Sequence, residues 1–225
     1  MATADTVHGG RGTPFPASLV LLLTTLLLVL LMAAAARHVQ HAPFGDRLTL
    51  HAAARPALSA AARAPRLRLA RGGLEAYDPD TGARRWTYAR DGHRPLQARP
   101  ARGAAVALWD DGLVTGTALH HGTLSVWHRG APGWPGTPAV RRASGVLQLL
   151  GPQPGAVAVV TPRLVTAYAL GDGGLRWHRG AGAGCAFDPS RTARRTDVLL
   201  IARHCAPGTP WTSRIAAFSA DRPFA

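Results

Sequence analysis

An all-β domain of repeated four-stranded units, carried behind one apolar helix, is the architecture this sequence predicts. Three observations predict it. The phrase AYDPDTGARRW, Ala76 to Trp86, returns without a gap as AYALGDGGLRW, Ala167 to Trp177. From about Arg66 onward, apolar runs of four to six residues alternate with Gly, Pro and Asp clusters. Upstream, Ser18 to Ala36 contains neither a charge nor a helix breaker.

Taken in order, residues 1–17 are polar and punctuated by Gly and Pro, a short N-terminal tail. Residues 18–36, SLVLLLTTLLLVLLMAAAA, read as a transmembrane helix or signal anchor. Nineteen residues at about 1.5 Å rise nearly match a hydrocarbon layer of about 30 Å. The same stretch also fits the apolar region of a signal peptide. AAAAR then offers small residues for cleavage, and Arg11 a thin positive start. Residues 37–65 are rich in Ala, Arg and His, with weak periodicity, and read as a linker.

Residues 66–225 carry the repeats. RLRLA alternates as a half-buried strand does, and runs such as AAVALW, LVTGTAL, AVAVV and LVTAYAL are too short for helices. In the repeated phrase, Ala76 and Tyr77 end one strand and Arg84 to Trp86 begin the next. Between them Pro79 suits the first central position of a type I turn. Asp78 can accept turn amide hydrogen bonds, and Gly82 can take positive φ. Asp172 and Gly173 serve the second copy, and Asp110 to Gly112 form a third tight hairpin. WHRGA at Trp127 and again at Trp177 extends the register. Trp86, Trp127 and Trp177 thus mark corresponding positions, 41 and 50 residues apart. A fourth copy opens at RIAAFSADRPF, with Phe218 in the tyrosine's place. A period of 40–50 residues with four short strands is that of a β-propeller blade. One large flat side chain per unit suits the wedge between neighbouring sheets.

The pattern from Leu74 to Trp86, an apolar residue, Ala-Tyr, Asp, Thr-Gly and Trp, resembles the PQQ-like repeat of quinoprotein-type β-propellers. More narrowly, the chain resembles uncharacterised actinobacterial membrane-anchored members. Complete members of that family have seven or eight blades, whereas this chain has sequence for about three to four, the last incomplete, so a partial or open propeller is expected; a truncated chain and pairing with another chain are the alternatives. The resemblance also implies a PQQ-dependent oxidoreductase as the alternative function. Against that alternative, the chain has no asparagine, a single glutamate (Glu75) and no vicinal cysteines, whereas a calcium–quinone site needs several oxygen ligands. The expectation is therefore no cofactor and no catalytic or metal-binding residue.

Other chemistry is weighed residue by residue. Asp78 and Asp80 are explained by the turn, and His120-His121 by a polar loop. His128 and His178 each follow a repeat tryptophan, and repetition argues for structure. No G-x-S-x-G elbow occurs. GAGAGC, Gly180 to Cys185, lacks the strand, helix and acid of a dinucleotide site. The net charge of +14 comes wholly from arginine, scattered rather than concentrated, so no nucleic-acid partner is expected. The two cysteines, Cys185 and Cys205, are expected to form a disulfide. Two buried thiols are the alternative.

The arginines at 37, 47 and 55, against Arg11 alone before the apolar run, would by count hold the main domain inside. The cysteine pair and the family habit place it outside, and that placement is preferred. The functional expectation is a single-pass, membrane-tethered, extracytoplasmic binding or scaffold module. Its partners would be the membrane, a protein or envelope component, and a second copy completing the propeller.

Overall fold

The computed structural model describes residues 17–38, 44–51, 63–101, 103–120, 123–134, 143–151, 155–195, 198–205 and 214–221. The chain divides into two compact units, residues 1–43 and 44–225. The first contains one helix, α1, Ala17–His38. Leucine dominates it and has high helix propensity. The hydroxyls of Thr24 and Thr25 donate back to the Leu21 carbonyl at 2.9 and 3.0 Å, so these polar groups are satisfied within the helix. Its side chains are described for Ser18 and Leu21–Met32, and the latter stretch is exposed throughout. Among the described residues, no helix is long and apolar enough to cross a membrane.

The second unit is all-β, with four antiparallel sheets arranged as consecutive propeller-like blades. The first sheet contains β1 (Asp46–Leu50), β2 (Arg66–Ala70), β3 (Gly73–Tyr77) and β4 (Arg84–Arg90), in the order β1-β4-β3-β2. In the second, β5 (Pro95–Ala101), β6 (Ala104–Trp109), β7 (Leu113–His120) and β8 (Thr123–Gly130) lie in sequence order. The third likewise orders β9 (Leu147–Leu150), β10 (Ala156–Val160), β11 (Leu164–Ala169) and β12 (Leu175–Gly180). The fourth has β13 (Ala186–Arg195), β14 (Val198–His204) and β15 (Ile215–Phe218).

The repeated phrase folds the same way twice. In one hairpin the Asp78 amide donates to the Ala83 carbonyl and the Gly82 amide to the Asp78 carbonyl. In the other, the Ala169 amide donates to Gly174 and the Gly173 amide to Ala169. Gly82 and Gly173 take φ of +71° and +70°, where a side chain would be strained. Thr81 Oγ1 and Asp172 Oδ1, at matching positions, each accept the amide two residues on. The bond from Gly82 reaches back four residues, so the turn is one residue wider than the expected type I form. Each hairpin also has a bulge next to the alanine, at Ala76/Tyr77 and at Ala167/Tyr168.

All three repeat tryptophans stand opposite a small residue: Trp86 across from Ala76, Trp127 from Gly116, Trp177 from Ala167. Each ring lies between its own sheet and the following one. Trp86 packs with Ala105, Ala107 and Trp109. Trp127 meets Tyr168 with centroids 6.4 Å apart and donates Nε1–H to the Leu170 carbonyl at 2.9 Å. Trp177 stacks on Phe218 at 5.4 Å and donates to the Ala220 carbonyl at 3.3 Å. Both donors reach 43 residues ahead. Strand alternation supplies the rest of the core. In β10, Val157 and Val159 face the second sheet while Ala156, Ala158 and Val160 face the fourth. A fully buried valine of this kind stabilises the fold by about 2 kcal/mol.

Two features depart from the expected pattern. The stretch read as a linker supplies β1, which pairs along β4 from Asp46↔Arg90 to Leu50↔Trp86. The register also makes β2 the counterpart of β6, β10 and β14, through the pairs Leu69↔Leu74, Leu108↔Val114, Val160↔Val165 and Ala202↔Ile215. Among the described residues, then, the first sheet has no counterpart of the inner strands β5, β9 and β13. It has β1 on its outer edge instead.

Cys185 and Cys205 form a disulfide, closing twenty residues of the fourth sheet as the sequence implied. A loop of that length stabilises by about 3 kcal/mol in the chain-entropy account.

Candidate functional site

Among the described residues, the densest group of titratable side chains lies between the first two sheets. The start of β1 supplies Asp46, β4 supplies Tyr88 and Arg90, the β6–β7 turn supplies Asp110 and Asp111, and β8 supplies His128. The DDG turn that presents the two aspartates closes as its sequence predicts. Gly112 sits at φ +82° and donates to the Trp109 carbonyl.

Arg90 anchors the group, with its side chain only 3% exposed. Its guanidinium bonds both Asp111 oxygens, at 3.0 and 2.8 Å, and lies 5.3 Å over the Trp109 ring. Nε has no hydrogen-bond partner but lies 3.9 Å from Asp46 Oδ1. Burial raises the Asp111 pKa, yet the Arg90 bond and the Leu113 amide outweigh it and hold the carboxyl below its ordinary value. Tyr88 donates to Asp46 Oδ1 at 2.7 Å and lies 3.2 Å from His128 Nε2, which is 2.6 Å from Asp46 Oδ2. Burial, reinforced by the Asp46 carboxylate, pushes the Tyr88 phenol far above its usual range. Burial lowers His128, with Asp46 opposing, and Phe44 stacks on the imidazole at 4.3 Å.

At the outer end of this network a recess of about 360 Å³ is lined by Arg47, Arg71, Arg90, His93, Arg94 and Asp110, among others. His93, Asp110 and Asp111 have ligand atoms within 4.8 Å of one another, close enough for a cation. A metal there would have to displace Arg90 from Asp111 and compete with His93 Nδ1, already 3.1 Å from Asp110. The residues therefore fit an ion-pair network anchored on the buried Arg90 better than a metal centre. A Tyr–Asp–His set could pass a proton in principle. Here it joins two sheets, and the phenol is held firmly neutral.

The structure sorts the sequence candidates unevenly. Asp78 is a turn residue, as expected. Its Oδ1 accepts the Asp80 and Thr81 amides, and its Oδ2 takes Arg85. The Thr81 amide is the main cause of a pKa well below the ordinary carboxylate range. His120 ends β7, and His121 lies outside the described residues. His128 and His178 do occupy matching registers, opposite Thr115 and Thr166. Only His128 joins a network, however, because only its sheet faces Asp46 and Tyr88; His178 is exposed. Sequence reasoning missed Asp46, Tyr88, Arg90 and Asp111. The buried arginine's one visible signal was its place within a strand.

No family model matches the chain, and no curated protein matches it in sequence. Among solved structures it is similar to BamB from Moraxella catarrhalis, at 19% identity and a TM-score of 0.45. The match covers 68% of this chain and 42% of that one, so the chain spans less than half of that neighbour's length. The reading that follows stands on the chain's own residues.

Proposed function

We propose that the chain is a membrane-tethered, extracytoplasmic β-propeller-like binding or scaffold module rather than an enzyme. The observation that carries the binding reading is the face of the fourth sheet that no other described residue covers. There an aliphatic surface with Ile215 57% exposed stands where the other sheets are covered by a neighbour. The most concentrated set of acids and bases is, by contrast, engaged in ion pairs and hydrogen bonds between two sheets. The tether rests on the sequence alone: the uncharged, apolar stretch from Ser18 to Ala36. The extracytoplasmic address is supported by the disulfide, since such bonds persist in oxidising compartments.

Two measurements test the proposal. Adding PQQ and calcium to the purified full chain should leave its melting temperature unchanged; a ligand-dependent rise would favour the oxidoreductase alternative. Intact cells treated with a membrane-impermeant thiol reagent should be labelled only after reduction. Labelling that requires lysis and is indifferent to reductant would overturn the address.

A further inference from the structure

The fourth sheet shows three strands among the described residues, where the second and third show four. Among the described residues, β15 pairs with β14 on one side only. Its counterparts β7 and β11 carry β8 and β12 on the other side, each bearing a tryptophan that lies over a small residue. The contact is close: a Cβ on Gly116 would fall 2.0 Å from the Trp127 ring.

Ala217 is the counterpart of Gly116 and Ala167. Phe218 receives Trp177 as Tyr168 receives Trp127, which fixes the alignment of β15 with β11. Ala217 then pairs with Leu200 as Ala167 pairs with Ala158. On the same face lie Leu200, Ala202 and Ile215, whose counterparts Ala158, Val160 and Val165 are all fully buried; here Ala202 is buried, Leu200 half-buried and Ile215 57% exposed. In the fourth sheet these three side chains, with Arg191, Thr192 and Ala193, line an apolar recess of about 260 Å³ instead.

From this we infer that β15 and the recess beside it form a strand-acceptor site. The site takes an extended segment of another polypeptide, antiparallel to β15, that places a tryptophan opposite Ala217. The inference deepens the binding-module reading and rests on it. The repeat itself specifies the occupant, because the same fold solves the same problem three times with a tryptophan-bearing strand. An edge strand presents unpaired N–H and C=O groups, which an incoming strand satisfies and a flat side-chain surface does not. The recess explains the need for a large ring: without one, Leu200 and Ile215 stay in water. Arg191 is held by Asp188 at 3.2 Å, so the segment needs no acidic residue to enter.

The test uses the full chain in detergent micelles and a fluorescein-labelled peptide copying Thr123–Gly130, TLSVWHRG, read by anisotropy. Binding should saturate, and replacing the peptide's tryptophan by alanine should weaken it about tenfold or more. Ala217→Arg in the chain should cause a similar loss while leaving the melting temperature unchanged, and Ile215→Lys serves if that variant folds poorly. Amide exchange in β15 should slow on binding. Equal affinity for both peptides, indifference to Ala217→Arg, or protection confined to another strand would overturn the site. An oligomer, seen by ultracentrifugation without peptide and abolished by Ala217→Arg, would uphold the acceptor edge but overturn the separate partner, since a second copy would then be the occupant. No binding at all would also sink the strand-acceptor site, yet leave the binding-module reading to its own cofactor and labelling experiments.

Discussion

The first and fourth of the described sheets turn opposite kinds of surface outward. On the free face of the first, Arg68, Glu75 and Arg84 stand together, with Glu75 lying 4.0 Å from Arg68 and 3.5 Å from Arg84 and accepting the Tyr77 hydroxyl at 2.7 Å. Its outer edge is covered by β1. The free face of the fourth is aliphatic, and the edge of β15 has no described partner. Glu75 occupies the register of Thr115 and Thr166, so the first sheet is built on the common plan with its surface residues exchanged for charge. Charged side chains and a covered edge are the usual means of keeping a sheet from pairing further. The outward face of the first sheet is occupied by ion pairs, and that of the fourth is left apolar.

The largest test of that contrast lies within the fourth sheet itself. Phe218, 1% exposed and stacked on Trp177, faces the interior, whereas Ile215 is more than half exposed on the opposite face. Phe218→Ala should cost about 3–5 kcal/mol in urea unfolding, and Ile215→Ala about 0.5 kcal/mol or less. Similar losses would mean that the supposed free face is covered. A smaller effect separates covered from uncovered hairpins at matching positions. Gly116→Val should destabilise by about 1–3 kcal/mol because Trp127 already fills the space, while Ala217→Val should be almost neutral.

The smallest expected effect concerns the joint between the first two sheets. Burial lowers the His128 pKa below about 6.5, so the unfolded chain takes up that proton first as pH falls. The stability due to the neutral imidazole is present above about pH 6.5 and declines as pH drops toward the folded-state value. Melting temperature followed from pH 8 to pH 5 should fall less steeply in His128→Gln than in the parent chain. An unchanged slope would remove His128 from the network's energetics.

Much of this fold was legible in advance because its strongest signals are local. The bulged hairpins at Ala76 and Ala167 need a glycine at positive φ and a small residue under the tryptophan, and both requirements are written within eleven residues. β1 was not legible. DRLTL resembles the polar Arg-rich stretch around it, and what makes it a strand is the open edge of β4. The ion-pair network was equally hidden, since Asp46, Tyr88 and His128 are about forty residues apart at each step and meet only through sheet packing. The repeat argument placed His128 and His178 in matching registers correctly, but could not say which of them a network would use. The match holds for the backbone register but not for what the side chain faces.

Sequence alone therefore determined the repeat, its period, the tryptophan wedge, the cysteine pair and the apolar helix, because turn geometry and strand alternation are set by neighbours in the chain. Tertiary structure decided which strand β1 joins, which acids reach Arg90, and which of the described sheets turns an apolar face outward. Those outcomes depend on which faces are brought together across forty or more residues, and no local pattern encodes that choice.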